Sequence, residues 1–105
     1  MELSPTEEIY LKAILKLSAG PEATVSTNAI AAQVHTSAAS VTDMLKRLAK
    51  KKLINYQRYQ GARLTEQGIR IATYLLRKHR LWKVFLGQAL GMSWDSIHDI
   101  ADELE

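Results

Sequence analysis

The sequence predicts a mainly α-helical fold, in which a helix-turn-helix with a two-stranded wing is followed by further helices. Three observations predict it. Apolar residues recur at helical spacing in several segments, the stretch after residue 52 changes to strand-like alternation, and basic residues concentrate between positions 37 and 63. With 105 residues, 47% of them hydrophobic, the chain can form one domain, or one domain and part of a second.

The first helix has a well-defined start. Ser4 is the predicted N-cap, Pro5 occupies the first helical position, and Glu7 completes a capping box. The helix should end near Gly20 and Pro21, since both residues interrupt helices. Its inward-facing stripe is predicted to contain Tyr10, Ala13, Ile14 and Leu17.

Two helices then form the predicted helix-turn-helix. Ser26 or Thr27 caps a helix that runs to about Val34, and the next helix runs from its N-cap at about Ser37 to about Lys52. One side of this later helix is apolar, through Val41, Leu45 and Leu48. The opposite side is first small and polar and then cationic, through Thr36, Ala39, Ser40, Asp43, Lys46, Arg47 and Lys50. This pattern suits a helix that enters a DNA major groove, although a solvated charged face remains the alternative.

The wing follows directly. Residues 53–58 read as a strand, residues 59–61 as a turn and residues 62–64 as the return strand. A hairpin this short is unstable alone, so it must pack against the helices. Arg58 and Arg63 are placed to reach phosphate or the minor groove, unless the hairpin tip is merely solvated.

Two further helices complete the chain. Thr65 caps a long helix from Glu66 to about Leu90, whose apolar residues form more than one stripe and therefore pack on more than one surface. A last helix starts at Ser93, and the chain ends inside it, so we expect the natural chain to continue. Acidic groups and an imidazole that share one helical face suit a divalent cation, with an acidic solvated face as the alternative. On this last helix they are Asp95, His98, Asp102 and Glu105.

Charge and composition narrow the function. Residues 37–63 contain seven of the 14 basic residues and one of the 11 acidic residues, which predicts a local surface for a polyanion: DNA, RNA or a membrane surface. The lack of cysteine excludes disulfides and thiolate metal sites. Without a signal peptide or a membrane-spanning apolar run, we expect a soluble cytoplasmic protein. The sequence has no glycine-rich phosphate loop and no H-E-x-x-H motif, so we do not expect an enzyme.

Five segments together resemble the N-terminal portion of the diphtheria toxin repressor family, which includes iron- and manganese-dependent regulators. In chain order they are TEEIYLKAI, SAASVTDMLKRL, GARLTEQG, RKHRL and IHDIADELE. The resemblance implies a winged helix-turn-helix DNA-binding domain over residues 1–64, and part of a helical dimerisation and metal-binding region over residues 65–105. It also implies a homodimeric repressor whose binding to a double-stranded DNA operator is promoted by Mn²⁺ or Fe²⁺.

The resemblance also implies site residues. The matching metal ligands are Glu8, His79, Asp102 and Glu105, and His98 matches a ligand of a neighbouring metal site. Asp102 stands where iron-type members have a cysteine, which favours manganese. Three departures from the family pattern concern this region. Lys83 replaces a glutamate of the neighbouring site, Leu11 replaces an acidic ligand of manganese-type members, and the chain stops before the histidine that usually follows Glu105.

The DNA-facing positions of the family match residues at and before the predicted recognition helix: Thr27, Thr36, Ser37, Ala39, Ser40, Thr42 and Asp43. Ala39 is predicted to contact a thymine methyl group and Asp43 to accept from a cytosine amino group. The predicted phosphate contacts are Arg47, Arg58 and Arg63. Two alternatives remain open: a winged-helix regulator of the multiple-antibiotic-resistance type that senses a small molecule without metal, and a winged-helix scaffold that binds protein or RNA.

Overall fold

The structure of the protein, a computed structural model, describes residues 2–20 and 23–90. The predicted last helix, with Asp95, His98, Asp102 and Glu105, lies outside these residues. In chain order the elements are α1 (Pro5–Leu17), α2 (Thr27–Val34), α3 (Ala38–Lys50), β1 (Ile54–Gln57), β2 (Gly61–Leu64) and α4 (Glu66–Leu90). The predicted mainly helical fold with a small two-stranded wing is confirmed.

The helix starts follow from their capping residues. At α1 the backbone N–H of Ser4 donates to Glu7 Oε1 over 2.9 Å, and the Glu7 N–H donates to Ser4 Oγ over 3.1 Å, which is the predicted capping box. Ser26 caps α2, because its hydroxyl accepts from the Ala29 N–H. The hydroxyls of Ser37 and Thr65 accept in the same way at α3 and α4.

The chain divides into two compact units, Met1–Thr73 and Tyr74–Glu105, and the division falls within α4. The first unit contains the main core. Its largest fully buried apolar side chains are Leu11, Ile14, Ile30, Leu45, Leu48, Leu53, Ile54 and Val41. Leu17, predicted to face inward, is only half-buried, whereas Leu11 is fully buried. The buried face of α1 is wider than one stripe because this helix contacts both α2 and β2.

The wing is held on the helical body by a third backbone segment. Strands β1 and β2 pair antiparallel from Ile54 opposite Leu64 to Gln57 opposite Gly61. Val25 and Ala62 then exchange two backbone hydrogen bonds, of 2.8 and 2.9 Å. Gly61 has a φ of 127°, and a Cβ there would lie 2.0 Å from the Val25 carbonyl oxygen, so this position requires glycine. Strand β1 also contacts α3, and β2 contacts α1, so the prediction that the hairpin packs on the helices is confirmed.

The end of α3 leads into β1 through a left-handed residue. Lys52 has a φ of 62°, and the Leu53 N–H donates to the Leu48 carbonyl over 3.1 Å. This is the hydrogen bond of a Schellman helix end, a position that usually carries glycine. The Leu53 carbonyl in turn accepts from the Thr65 N–H over 3.0 Å, which brings the start of α4 against the end of α3.

Within the second unit, α4 presents two kinds of surface. Leu75, Leu76 and His79 are buried. Among the α4 side chains whose burial is described, the large apolar ones that are exposed are Tyr74, Leu81, Val84 and Phe85. Across residues 2–20 and 23–90, none of the helices is both long enough and apolar enough to cross a membrane.

Candidate nucleic-acid interface

Helix α3 turns one side to the core and the other to solvent. Its core side is formed by Val41, Met44, Leu45 and Leu48, all of them buried. The residues that the sequence predicts to face DNA lie on the other side: Thr36, Ser37, Ala39, Ser40 and Asp43 are exposed, and Thr27 and Thr42 are half-buried. The amino-terminal half of α3 therefore offers small side chains that a second surface can approach closely.

Some hydroxyls on this surface are already oriented by local hydrogen bonds. Ser37 Oγ donates to Ser40 Oγ over 3.0 Å, and Thr42 Oγ1 donates to the Ala38 carbonyl over 3.0 Å. The Ser40 hydroxyl hydrogen is not used by the first of these bonds, so Ser40 can donate outward. These bonds reduce the rotational freedom that the side chains would lose on binding.

A cleft separates α3 from the wing. Among the described residues, the charged ones that line it are Lys46 on α3 and Arg58 in the wing turn, and none is acidic. The lining residues in the described part of the chain are Ser26, Thr27, Asn28, Ala38, Thr42, Lys46, Tyr56, Arg58, Tyr59 and Gln60. Three predicted DNA contacts, Thr27, Thr42 and Arg58, thus meet in one cleft. Asn28, Tyr56 and Gln60 were not predicted, since only the fold brings these three segments together.

At the tip of the wing, the exposed ring of Tyr59 lies against the guanidinium group of Arg58. Tyr59 has a φ of 68° and is 88% exposed, while the Arg58 guanidinium carbon lies 4.9 Å from the centre of its ring. This is the geometry of a cation–π contact, which holds the Arg58 charge at the wing tip. Arg63, the other predicted wing contact, lies on β2 opposite Asn55 and is half-buried.

A buried carboxylate joins α1 to the far end of α3. Glu7 is 1% exposed, and Lys51 Nζ lies 2.9 Å from its Oε1 and 2.7 Å from its Oε2. The hydrogen bond from Lys51 is the main cause that lowers the pKa of Glu7, with help from the Ser4 N–H. Arg47, a predicted phosphate contact, places its guanidinium 4.0 Å from Glu7 Oε1 and keeps 59% of its side chain exposed.

The predicted metal ligands are only partly within the described residues. Glu8 lies half-buried in the first turn of α1, and the imidazole of His79 is buried on α4. Among residues 2–20 and 23–90, no three histidine, cysteine or acidic side chains come close enough to hold a metal ion. Leu11 is a core residue without a donor atom, so it cannot be a metal ligand. The carboxylate of Glu8 and the imidazole of His79 are groups of the type that binds divalent transition metals.

Two family models match almost the whole chain. The model described as the iron dependent repressor N-terminal DNA binding domain matches residues 2–62. The model described as the iron dependent repressor metal binding and dimerisation domain matches residues 65–105.

Individual relatives agree with these matches. The chain is 34% identical to the HTH-type transcriptional regulator MntR of Oceanobacillus iheyensis over 103 residues, which are 97% of this chain and 68% of that protein. The solved structure of the manganese regulator SloR aligns with a TM-score of 0.79 and 36% identity, over 97% of this chain and 47% of that one. That of ScaR with bound Zn²⁺ aligns with a TM-score of 0.75 and 34% identity, over 93% of this chain and 45% of that one. The chain thus spans less than half of each of these two structures.

Proposed function

Because the chain belongs to the iron-dependent repressor family, a family of metal-dependent, non-enzymatic transcriptional repressors, we propose that it binds an operator as a homodimer and that Mn²⁺ or Fe²⁺ promotes this binding. Residues 1–64 bind DNA in this proposal, and residues 65–105 hold the metal and the second subunit. Such a regulator works on the chromosome, in the cytoplasm.

The cleft between α3 and the wing is the observation that carries the proposal. A major groove is wide enough for one α-helix, and the phosphates of its strands lie on either side of that helix. Helix α3 presents small polar residues at its start, and Lys46 and Arg58 supply positive charge from both walls of the cleft. A phosphate backbone that passes between α3 and the wing meets this positive charge, and none of the described lining residues is acidic.

The residues have different roles in this arrangement. Those at the start of α3 contact base edges, and Asp43 accepts from a cytosine amino group. Arg47, Arg58 and Arg63 contact phosphates, and Thr27 and Thr42 line the cleft together with Arg58. The 59% exposure of the Arg47 side chain lets it reach a phosphate while it stays near Glu7. The exposed N-terminal side chains of the proposed base-reading surface are Thr36, Ser37, Ala39, Ser40 and Asp43.

The proposed metal ligands are Glu8, His79, Asp102 and Glu105, with His98 as a further candidate outside the described residues. Their carboxylate oxygens and imidazole nitrogen would hold a divalent cation, which would supply a positive charge to these donors. Manganese appears in the name of SloR and zinc in that of the ScaR structure, so several divalent metals have to be compared in the assay.

The test is a DNA-binding assay with defined metal content. A duplex is selected from a random-sequence pool by the chain with Mn²⁺, and its affinity is measured by fluorescence anisotropy with EDTA, Mn²⁺, Fe²⁺ and Zn²⁺. Coupling between two ligands is typically about 5–150-fold, so we expect metal to tighten binding to the selected duplex within that range. Equal affinity with and without every metal would contradict the metal switch. A preference for RNA over duplex DNA would favour the scaffold alternative.

The same assay tests the assigned base contact. Asp43→Ala should change the base preference at one operator position and leave the other positions as they are. An unchanged preference profile would show that Asp43 does not read a base. Analytical ultracentrifugation with and without DNA tests the proposed homodimer.

A further inference from the structure

The Glu7–Lys51 ion pair joins two parts of the chain that the proposed function uses separately. Glu7 immediately precedes Glu8, a proposed metal ligand in the first turn of α1. Lys51 is the C-cap of α3, the proposed recognition helix. The two residues are 44 positions apart in the sequence, so their contact reports the tertiary arrangement of these two helix ends.

The contact is more than a surface ion pair. The Glu7 side chain is 2% exposed, and Lys51 Nζ lies within 3.0 Å of both of its oxygens, at 2.9 and 2.7 Å. Lys51 Nζ also donates to the Glu2 carbonyl over 3.3 Å, so one ammonium group holds the segment before α1 as well. A charge left unpaired in such a buried place is strongly unfavourable, which makes separation of the two groups costly.

The remaining Glu7 contacts fix the carboxylate itself. Its Oε1 accepts from the Ser4 N–H over 2.9 Å, so the carboxylate cannot turn away without opening the capping box. The carboxylate is therefore held from the α1 side and from the α3 side at once. A displacement of residues 2–8 must either move the end of α3 or break this pair.

We propose that Glu7 is a positioning residue for DNA recognition: through Lys51 it holds the end of the recognition helix to the segment that carries Glu8. The inference rests on the proposed function, since it assumes that α3 reads DNA. Glu7 does not touch DNA in this proposal. It sets the placement of α3, and therefore the ratio of affinities for a selected duplex and for a scrambled duplex.

A charge-based alternative makes a different prediction. If Glu7 only withholds Lys51 from phosphate, then Glu7→Gln frees one cation, and binding to every duplex becomes tighter. The slope of log affinity against log salt would then steepen by about one unit. If Glu7 positions α3, the salt slope of Glu7→Gln equals that of the wild type, and its selectivity for the selected duplex falls.

The experiment uses the 105-residue chain and the Mn²⁺-selected duplex with its scrambled counterpart, each in Mn²⁺ and in EDTA. Glu7→Gln and Lys51→Met should each lower the selectivity at least about fivefold, and the double variant should lower it no further, because both single changes break the same Glu7–Lys51 contact. Lys51→Arg keeps the charge and should retain most of the selectivity. Lys52→Met is the matched control, since it removes the same charge from the exposed neighbouring position and should leave selectivity unchanged.

Three results would overturn the proposal: full selectivity in Glu7→Gln, additive losses in the double variant, or the steeper salt slope. Circular dichroism melts of each variant establish that it is folded at the assay temperature, and full selectivity in a folded Lys51→Met would overturn the proposal if Glu7→Gln does not fold. A wild-type chain that shows selectivity but no metal response would contradict the metal switch, and the EDTA measurements would still test Glu7. A wild-type chain that binds the selected duplex and the scrambled duplex equally well would instead contradict the proposed function.

Discussion

Gly68→Ala gives the sharpest test of how α4 packs on the end of α3. Gly68 lies in the first turn of α4, where helix propensity alone predicts that alanine stabilises the protein by up to about 1 kcal/mol. The structure predicts the opposite sign. A Cβ at this position would lie 2.0 Å from the Leu53 carbonyl oxygen and 3.3 Å from Leu64 Cδ2.

The size of the destabilisation depends on which atoms must move to make room for the added methyl group. The Leu53 oxygen is backbone and accepts from the Thr65 N–H over 3.0 Å, so it cannot shift without weakening that bond. Forcing an extra methyl group into a packed site costs about 1–3 kcal/mol, and losing a backbone hydrogen bond costs about 1 kcal/mol. The gain in helix propensity offsets about 1 kcal/mol of this. We expect a net destabilisation of about 1–3 kcal/mol.

Urea unfolding followed by circular dichroism at 222 nm measures the change as a shift of the midpoint at constant slope. Gly20→Ala is the matched control, because nothing lies within 4 Å of its added Cβ, and its effect should stay within about 0.5 kcal/mol. A Gly68→Ala protein that is as stable as the wild type, or more stable, would refute the reasoning that packing against Leu53 outweighs helix propensity.

Three further predictions concern a charge pair, the wing and a helix end. Because Lys51 holds the pKa of Glu7 below its usual value, the pair stabilises the fold above the unfolded pKa of about 4.3, and this contribution disappears as the pH falls through the folded pKa. Glu7→Gln should therefore be less stable than the wild type at neutral pH, with a difference that narrows in acid; urea midpoints measured in EDTA across pH test this, and a constant difference would count against it. Arg58→Ala should weaken binding to all duplexes alike and reduce the salt slope by about one unit in anisotropy titrations, whereas a loss confined to one sequence would indicate base reading instead. Lys52→Gly should raise the free energy of unfolding by about 0.5–1 kcal/mol, because Lys52 has a φ of 62°, and an unchanged urea midpoint would show that this backbone carries little strain.

The element boundaries that the sequence predicted best are those set by local chemistry. Ser4, Ser37 and Thr65 each cap a helix through a backbone N–H three residues further on, so a few consecutive residues contain all the information needed. The long helix likewise runs from Glu66 to Leu90 as expected. Lys52 was predicted to be the last helical residue, but α3 ends at Lys50 because the chain turns through a left-handed residue there.

The contacts that the sequence did not predict join distant positions. Glu7 was assigned only its local role in the capping box, and nothing in its neighbourhood indicates Lys51 as a partner. Gly61 was assigned to a turn, whereas its need for glycine comes from the carbonyl of Val25. For the cleft, charge patterning identified the basic side chains but could not identify Asn28 or Tyr56, which the fold alone brings beside them. The metal ligands were predicted from family resemblance, and they remain a proposal.

The backbone bridge between Val25 and Ala62 has a consequence for the operator. Because two hydrogen bonds tie β2 to the segment before α2, the wing cannot swing on its turn as a separate arm. The fold then fixes the distance between the wing turn that carries Arg58 and the exposed side of α3. In the proposed complex, a variation in groove width among operators is then accommodated by bending or twisting of the DNA, so the stiffness of the bases between these two contacts should influence affinity even where no side chain touches them.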